Sequence, residues 1–345
     1  MRRVLISLGV LTACALIGAA AAATSYFRFL NDDIPVPDGA LVFAIEPGST
    51  FSAVTDDLAE LGVITHPTWY RIHGRLTGLE GSIQAGEYAI DAGQTPKSLL
   101  ARFVSGGVIL HDFTIVEGWN RWELLDALES ADVLVDDFDE ADWAGFLEAV
   151  GSEHSYPEGL FLPETYRFPR GTTITSLLEE AYDALQVTLA EEWEARSEDA
   201  AVTTPYEALT LASIIEKETA RADERERISG VFTRRLNQRM RLQTDPTVIY
   251  GLLPDFNGDL TWSDLRTDTP YNTRTRRGLP PTPIAMAGRA AIYAALHPED
   301  GEALFFVATG LDDGSHTFSV TLEDHNRAVQ VYLDRLGKKR SSEQP

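Results

Sequence analysis

An uncharged apolar run near the N-terminus most constrains how this chain can fold. Two arginines at positions 2 and 3 are followed by residues 4–27, which carry no charged side chain. Because about 20 apolar residues span the hydrocarbon core of a bilayer, Val4 to Ala23 is long enough for a transmembrane helix. The two arginines should stay in the cytoplasm, which leaves the bulk of the chain outside it. We therefore predict a cytoplasmic tip and anchor over residues 1–30.

Two other interpretations of this segment remain open. Ala20 to Ala23 could end a cleaved signal peptide, and Leu11-Thr-Ala-Cys14 resembles a lipoprotein cleavage box. Against lipidation, the apolar run continues beyond Cys14, which is the single cysteine of the sequence. No intramolecular disulfide is possible, so an extracytoplasmic protein must be stabilised by core packing alone. Residues 31–40, with Pro35 and Pro37, read as a linker.

The length and net charge of the chain limit the number of domains and the kinds of ligand that we expect. A chain of 345 residues with 44% hydrophobic residues predicts two or three packed domains. The net charge of −24 argues against nucleic-acid binding. No Lys or Arg occurs from Trp122 to Tyr166, whereas seven arginines lie between Arg221 and Arg241. These arginines either form a basic surface for an anionic ligand or make ordinary surface ion pairs.

Residues 41–110 predict a small strand–helix–helix–strand domain. Apolar patterns predict strands over 41–45 and 85–90 and helices over 51–61, 68–76 and 96–103. This order resembles a LysM-type module, a fold often used on cell-wall glycans, although a spacer without a glycan site would have the same pattern. Gly48, Gly93 and Gly118 each separate a predicted strand from a helix, where a tight turn needs a positive φ.

Residues 111–204 are harder to interpret. We predict a strand over 113–117, helices over 121–128 and 176–196, and a solvated acidic helical excursion over 132–153. Between them, residues 156–169 combine aromatics, prolines and two carboxylates. Such a loop could line a sugar-binding cleft or fold against the domain core.

The helix expected after Thr204 carries the strongest chemical signal. Thr204, Pro205 and Glu207 predict its start, and apolar residues follow through Ile215. At 100° per residue, Glu218 lies about 20° from the buried face that Leu211 marks. A carboxyl group among aliphatic side chains has a raised pKa, as a general acid at neutral pH requires.

Two alternatives accompany that interpretation. Glu216 lies about 140° from Leu211 on the same helix and is the second candidate for the acid. Glu218 could also belong to a solvated helix end, paired with Arg221 one turn on. Spacing alone does not decide between these readings.

Three polar and aromatic segments follow this helix. Gln243 and Asp245 lie in the turn of residues 241–251, Tyr271 and Asn272 in the loop of residues 270–281, and His316 on a strand after the Asp312-Asp-Gly314 turn. Each has a structural explanation: Asp245 can cap a helix and His316 can be a core histidine. Three such segments in one domain favour a binding cleft.

Several chemistries do not fit the sequence. No Cys or His pair has metal-ligand spacing, and no Gly-rich phosphate loop precedes a helix. Ser213 lacks the context of a nucleophile elbow. No second acidic residue is evidently paired with Glu218, as a two-carboxylate glycosidase would require. We therefore predict neither a metal nor a cofactor.

Taken together, the motifs resemble the bacterial endolytic murein transglycosylase family, MltG or YceG-like. The resemblance rests on Ala212-Ser-Ile-Ile-Glu-Lys-Glu-Thr219, residues 240–251, Tyr271-Asn-Thr273, Gly278-Leu-Pro-Pro281, Ser315-His-Thr-Phe318 and residues 158–166. The family pattern is similar over essentially the whole chain. Arg274 stands where an aromatic is usual and Thr282 where a glycine is usual, so local substrate contacts can differ.

The resemblance implies an α+β fold with a transmembrane helix, a LysM-like β-α-α-β domain over 41–110 and a larger catalytic domain over 111–338, followed by a disordered tail over 339–345. It implies a lyase on the inner membrane, single-pass, with its catalytic part in the periplasm. The expected reaction cuts MurNAc–GlcNAc bonds inside peptidoglycan strands and leaves 1,6-anhydro-MurNAc ends, terminating strand elongation. Penicillin-binding proteins and other wall synthases are the expected protein partners.

The family's catalytic glutamate corresponds to Glu218, in agreement with the helical-face argument. Substrate contacts are expected from Gln243, Asp245, Tyr271, Asn272 and His316. Two other functions stay open: a hydrolytic muramidase, and a non-catalytic glycan-binding scaffold that recruits wall synthases.

Overall fold

The computed structural model describes residues 2–36 and 41–343, and its contacts divide the chain into two compact units. The first contains the chain up to His111 together with Arg167–Gly171, and the second contains Asp112–Tyr166 and the chain from Thr172 onward. The fold is mixed α+β with an apolar N-terminal helix, which confirms the predicted fold class at that level.

The first unit is built around one antiparallel strand pair. Its elements follow in the order α1 (Arg2–Asn31), β1 (Leu41–Ile45), α2 (Phe51–Glu60), α3 (Pro67–Thr77), β2 (Gly86–Ile90) and α4 (Pro96–Ser105). β1 pairs with β2, and Phe43 lies opposite Tyr88. The predicted strands and helices of this region are confirmed, with small shifts at their ends.

The end of α1 packs into the core of this unit. Residues Ile6–Asn31, with mean hydropathy 2.1, are long and apolar enough to cross a membrane. Phe29 and Ile34 are only 7% and 4% exposed, because their side chains join the cluster around Tyr70. The Ile34 amide also donates to the Gln94 carbonyl at 2.7 Å. The start of the predicted linker is thus bound to the core, and its remainder, residues 37–40, lies outside the described residues.

The second unit carries the remaining elements. They are β3 (Leu110–Thr114), which begins in the first unit, α5 (Arg121–Glu129), α6 (Trp143–Ala149), β4 (Thr165–Pro169), which ends in the first unit, α7 (Ile174–Glu194), α8 (Pro205–Glu218), α9 (Arg225–Asn237), α10 (Asp245–Tyr250), α11 (Arg289–Leu296), β5 (Phe305–Ala308), β6 (His316–Ser319) and α12 (Leu322–Glu343). β3 pairs with β4, and β5 pairs antiparallel with β6. A short 3₁₀ turn, Ala222–Glu224, joins α8 to α9.

Helix α8 is the central element of the second unit. Thr204 accepts a hydrogen bond from the Glu207 amide, as the predicted cap requires, while the Glu207 carboxylate accepts from the Thr203 amide one residue earlier. Leu211 and Ile215 are fully buried, and the helix packs against α7, α9, α10 and α11. It ends at Glu218, because Thr219 adopts an extended backbone with φ −148°. Glu218 is therefore held at the end of a helix that packs against four others.

Other expectations met mixed outcomes. The predicted strand over 113–117 lies instead at 110–114, since pairing with the distant β4 sets its bounds. The acidic excursion over 132–153 contains α6, whose Trp143 and Phe146 are buried, so it is not simply solvated.

α12 continues to Glu343, beyond the expected end at Leu336, and residues 344–345 of the predicted tail lie outside the described residues. The glycine turns are confirmed, with φ of 82°, 84° and 82° at Gly48, Gly93 and Gly118.

Candidate active site

A cavity of about 530 Å³ lies at the C-terminal end of α8. Its walls come from α8, α9, the turn before α10, the β5–β6 hairpin and α12. The lining residues are Glu218, Phe232, Arg235, Leu242, Gln243, Thr244, Asp245, Arg274, Phe305, Phe306, Val307, Ala308, His316, Leu322, His325, Asn326 and Val329. Four of the six residues predicted for the site, Glu218, Gln243, Asp245 and His316, are thus brought to one cavity.

Glu218 presents a carboxyl group that is enclosed yet reachable. The Thr244 hydroxyl donates to Glu218 Oε1, and the residue keeps partial exposure at the cavity. Burial raises the pKa of Glu218, and the Asp245 charge raises it further. The Thr244 hydrogen bond and the positive charge of Arg274 lower the pKa, but burial dominates. The group is thus biased toward its protonated form while retaining stabilisation for its anion.

The alternative partner proposed for Glu218 is engaged elsewhere. Arg221 pairs with Asp223 at 2.6 Å and donates to the Asp313 carbonyl at 3.0 Å. Because α8 ends at Glu218, Arg221 does not follow one helical turn later. The solvated ion-pair interpretation of Glu218 is therefore wrong.

Glu216 lies in a different environment from Glu218. Its carboxylate pairs with Arg225 at 3.0 Å and accepts the Gly288 amide at 3.0 Å. Burial raises the pKa of Glu216, while Arg225 lowers it. It does not line the cavity among the residues that the structure describes. The geometry thus favours Glu218 over Glu216 as a group facing a ligand.

A threonine network holds the turn that contacts Glu218. Thr244 is 3% exposed, and its amide donates to Thr273 Oγ1 at 3.2 Å. Thr247 and Thr273 share a hydroxyl contact of 2.8 Å. Gln243 has φ 57°, a left-handed conformation that costs energy for a residue with a Cβ. This turn places the Gln243 side chain at the exposed rim of the cavity.

Asp245 and Arg274 form an ion pair on the cavity wall. Arg274 Nε and a terminal guanidinium nitrogen both lie 2.6 Å from Asp245 Oδ1. Their side chains remain 48% and 32% exposed, so a ligand can reach both. The residue that departs from the family pattern, Arg274, therefore neutralises the second carboxylate of this cavity.

Tyr271 and Asn272 contribute indirectly. Neither lines the cavity in the part of the chain described here. Asn272 is fully buried; its amide nitrogen donates to the Thr267 carbonyl at 2.7 Å, and its amide oxygen accepts from the Arg274 backbone at 2.8 Å. The Tyr271 hydroxyl contacts Thr282 Oγ1 at 2.9 Å. A direct substrate contact from Asn272 would require this loop to open; as folded, Asn272 positions Arg274.

His316 is the first residue of β6, as predicted for a strand position. Its Nδ1 lies 2.7 Å from Glu224 Oε2, and its backbone amide donates to Glu224 Oε1 at 3.0 Å. His316 is therefore a partnered histidine that also faces the cavity.

Sequence reasoning missed several lining or supporting residues. Thr244 lies inside a quoted motif but was not singled out, and Glu224 carries no sequence signal. Arg235 donates to the carbonyls of Leu304 and Leu242 at 2.6 Å each, which ties α9 to the hairpin and to the Glu218 turn. Strand β5 was not predicted at all.

Two further alternatives, the role of the arginines and that of the aromatic loop, are better explained by structural contacts than by ligand binding. The arginines of the basic segment are largely committed, as in the pairs of Arg221 with Asp223 and Arg225 with Glu216. Glu158, in the aromatic loop of residues 156–169, is fully buried. It accepts the Tyr250 hydroxyl at 2.8 Å, and burial raises its pKa to about 7. This part of the loop folds against the core.

Comparisons with known proteins agree on one family. The model of the YceG-like family matches residues 43–331. An endolytic murein transglycosylase of Bacillus subtilis (strain 168) is 28% identical over 312 residues, which cover 86% of this chain and 85% of that protein. The protein of the same name from Streptococcus pneumoniae (serotype 2, strain D39) is 27% identical over 84% of this chain, which spans 58% of its length. The 2.6 Å crystal structure of a YceG-like protein from Listeria monocytogenes has 29% identity and a TM-score of 0.53, covering 84% of this chain and 98% of that one.

Proposed function

This chain belongs to the YceG-like family, and from that premise we propose that it is a lytic transglycosylase, a lyase acting on peptidoglycan. It cuts the bond from MurNAc C1 to GlcNAc O4 within glycan strands and leaves a 1,6-anhydro-MurNAc end. The relatives named endolytic murein transglycosylase support this reaction class. The observation that carries it is Glu218: one carboxyl group with a pKa raised by burial, at the wall of a ligand-sized cavity.

Glu218 supplies the proton that the leaving oxygen needs. Protonated Glu218 donates to O4 as the C1–O4 bond breaks, and positive charge develops at C1 of the muramic sugar. The Thr244 hydroxyl then stabilises the new carboxylate through its bond to Oε1. Gln243 at the rim and the Asp245–Arg274 pair on the wall are proposed to bind the sugars on either side of the cut.

The second half of the reaction closes the anhydro ring. The muramic O6 forms a bond to C1, and the proton that O6 loses returns to Glu218, which restores the acid for the next cycle. The nucleophile belongs to the substrate, so its effective concentration is high and no positioned water is needed. Glu218 is thereby both the donor and the final acceptor of the proton.

The arrangement of carboxylates supports a lyase over a hydrolytic muramidase. Two-carboxylate glycosidases need a second free carboxylate as nucleophile or base. The other carboxylate lining the described part of this cavity is Asp245, and two of the three guanidinium nitrogens of Arg274 lie 2.6 Å from one of its oxygens. Asp245 is thus engaged in an ion pair, whereas the lyase reaction needs no second carboxylate.

We further propose that α1 anchors the protein in the inner membrane by a single pass, with the second unit in the periplasm. The apolar helix Ile6–Asn31 and the two preceding arginines support this orientation. The β1–α2–α3–β2 order of the first unit supports a LysM-like domain over 41–110 that meets wall glycan. The division into a domain over 41–110 and a catalytic domain over 111–338 stays part of this proposal.

An anhydro end has no free C1 hydroxyl, so a strand cut in this way cannot be extended there. We therefore propose that the enzyme terminates nascent strands beside penicillin-binding proteins and other wall synthases. Cell fractionation with added protease tests this orientation. We expect the protease to reach the second unit from the periplasmic side only. A cleaved or lipidated product, visible by mass at the N-terminus or Cys14, would replace the anchor assignment.

Product analysis with Glu218→Gln tests the reaction itself. The full-length protein in detergent is incubated with uncrosslinked glycan strands, and products are measured by mass. Wild type should give anhydro ends, and Glu218→Gln should lose at least 1,000-fold activity. Glu216→Gln, the same substitution two residues away in an ion pair, should retain most activity.

Three results would count against the proposal. Activity in Glu218→Gln would remove the assigned acid. Products with the mass of a hydrolysed end would indicate a muramidase. Glycan binding without turnover by a folded wild type would indicate a scaffold.

A further inference from the structure

Glu224 forms a hydrogen-bonded pair with His316, which lines the Glu218 cavity. Glu224 ends the 3₁₀ turn Ala222–Glu224, and His316 begins β6, so 92 residues separate them. One carboxylate oxygen accepts the His316 backbone amide at 3.0 Å, and the other lies 2.7 Å from His316 Nδ1. Both side chains are largely buried, at 11% and 12% exposure. The carboxylate thus fixes both the backbone and the ring of His316.

This bond determines which ring nitrogen is available to a ligand. A carboxylate offers acceptors only, so Nδ1 must carry the proton that it donates to Glu224. The neutral ring then keeps its lone pair on Nε2. His316 lines the same cavity as Glu218, and the rings of Phe306 and Phe318 lie 5.5 and 6.5 Å away. The result is an oriented imidazole whose Nε2 keeps its lone pair, with no hydrogen-bond partner for it among the described residues.

The Glu218 carboxyl has little freedom for two simultaneous proton transfers. Oε1 already accepts from Thr244, so the other oxygen must face the leaving O4. That oxygen would have to release O4 before it could take the proton from O6. A separate base allows O6 to lose its proton while Glu218 still holds O4.

We propose that His316 Nε2 is the base that takes the proton from the muramic 6-hydroxyl and passes it to Glu218, with Glu224 as the positioning residue. This inference rests on the proposed lytic transglycosylase function. The O6–H bond breaks as O6 bonds to C1, and the proton moves to Nε2. After the GlcNAc end departs, the imidazolium returns that proton to the Glu218 carboxylate. No proton is gained or lost over the cycle, and Glu224 stabilises the transient cation.

The charges around His316 are compatible with this relay. Glu224 contacts it directly, and Arg221 lies 3.9 Å from Glu224. The other titratable or charged groups that line the same cavity are Glu218, Arg235, Asp245, Arg274 and His325. The guanidinium carbon of Arg227 lies 4.1 Å from the ring centroid of Phe318, two residues after His316 on β6.

The test combines His316→Ala and Glu224→Gln with chemical rescue. His316→Ala should lower kcat at least 100-fold on glycan strands, and free imidazole should restore at least a tenth of the lost rate. Glu224→Gln places an amide donor against Nδ1 or the backbone amide. It should lower kcat 10- to 100-fold and shift the low-pH limb of the kcat profile. His111→Ala is the control, because His111 also pairs with a glutamate, Glu87, at 2.9 Å but lies in the first unit.

The outcomes separate this inference from the proposed function. Rescue of His316→Ala by imidazole, with no rescue of Glu218→Gln or His111→Ala, supports the relay. A wild-type rate in His316→Ala with an inactive Glu218→Gln would overturn the relay and leave the lyase assignment intact. So would a folded His316→Ala, checked by thermal melting, that imidazole does not rescue. If His316→Ala does not fold, the same criteria apply to His316→Gln, and an unshifted pH limb in Glu224→Gln would overturn the relay.

Discussion

The Thr244 hydroxyl donates a hydrogen bond to Glu218 Oε1 across 26 residues of sequence. This contact connects the end of α8 to the start of α10, and Thr244 is itself held by Thr273 at 3.2 Å. The bond stabilises the carboxylate form, whereas burial stabilises the acid form. A residue that must donate and recover a proton needs both influences in balance.

Thr244→Val should disturb that balance in a defined direction. Without the hydroxyl, the pKa of Glu218 rises further, so the high-pH limb of the activity profile moves to higher pH. Loss of one hydrogen bond to the developing anion should also lower kcat about tenfold or more. Thr244→Ser keeps the hydroxyl and should behave like wild type. A Val variant with an unchanged profile would show that the contact has no catalytic role.

Glu218→Gln should gain stability while it loses activity. Because the folded pKa of Glu218 is raised, its ionisation costs stability as pH rises from the unfolded pKa through the folded one. An uncharged amide removes that cost, so Tm should rise at pH 8 by about 2–4 °C for each kcal/mol regained. At pH 4, where both states are protonated, the difference should largely disappear. Equal melting temperatures at both pH values would argue that Glu218 is well solvated.

Substitutions of Asp245 and of Arg274 should shift the pKa of Glu218 in opposite directions. Asp245 raises the pKa of Glu218 and Arg274 lowers it. Asp245→Asn should therefore move the high-pH limb of activity downward, and Arg274→Met should move it upward. Stability should change by only about 0.2–1 kcal/mol, since both side chains are partly exposed. Shifts of the same sign in both variants would contradict this electrostatic account.

Two substitutions of Gln243 distinguish the effect of its backbone strain on stability from the effect of its side chain on substrate binding. Its φ of 57° favours glycine, so Gln243→Gly should leave Tm within a few degrees, because relief of strain offsets the added freedom of the unfolded chain. Gln243→Ala keeps the strain and should be no more stable than Gly. If the side chain contacts glycan, both variants should raise KM about tenfold. Unchanged KM in both would remove Gln243 from the substrate contacts.

Glu158 provides a test of stability that does not depend on the proposed chemistry, because it does not line the Glu218 cavity in the described part of the chain. Burial raises its pKa from the ordinary 4.5 of a glutamate to about 7 in the folded protein. The folded state thus keeps a proton that the unfolded state loses, and the free energy of unfolding should fall between pH 4.5 and 7 by about 3 kcal/mol. Glu158→Gln should flatten this part of the curve. Urea unfolding at pH 5 and pH 8 measures the difference, and parallel losses in wild type and variant would assign it to other groups.

Local patterns in the sequence predicted much of the fold. The Thr204 cap and the apolar residues through Ile215 predicted α8, because caps and helical spacing act between residues one turn apart. The first-unit strands and helices followed for the same reason. The bounds of β3 were predicted wrongly because they are set by pairing with a strand that is distant in the sequence. The burial of Trp143 in α6 was missed because it lies within a stretch of mostly acidic residues.

By itself, the sequence predicted a helix that starts at Thr204, is apolar through Ile215 and carries a carboxyl group soon after, and it identified the polar residues that follow. Only the tertiary structure decided which groups that carboxyl meets. Thr244 reaches Glu218 across 26 residues, Arg274 reaches Asp245 across 29, and Glu224 reaches His316 across 92. Helical periodicity is a property of neighbours along the chain, whereas a proton's environment depends on atoms that packing brings together from distant segments.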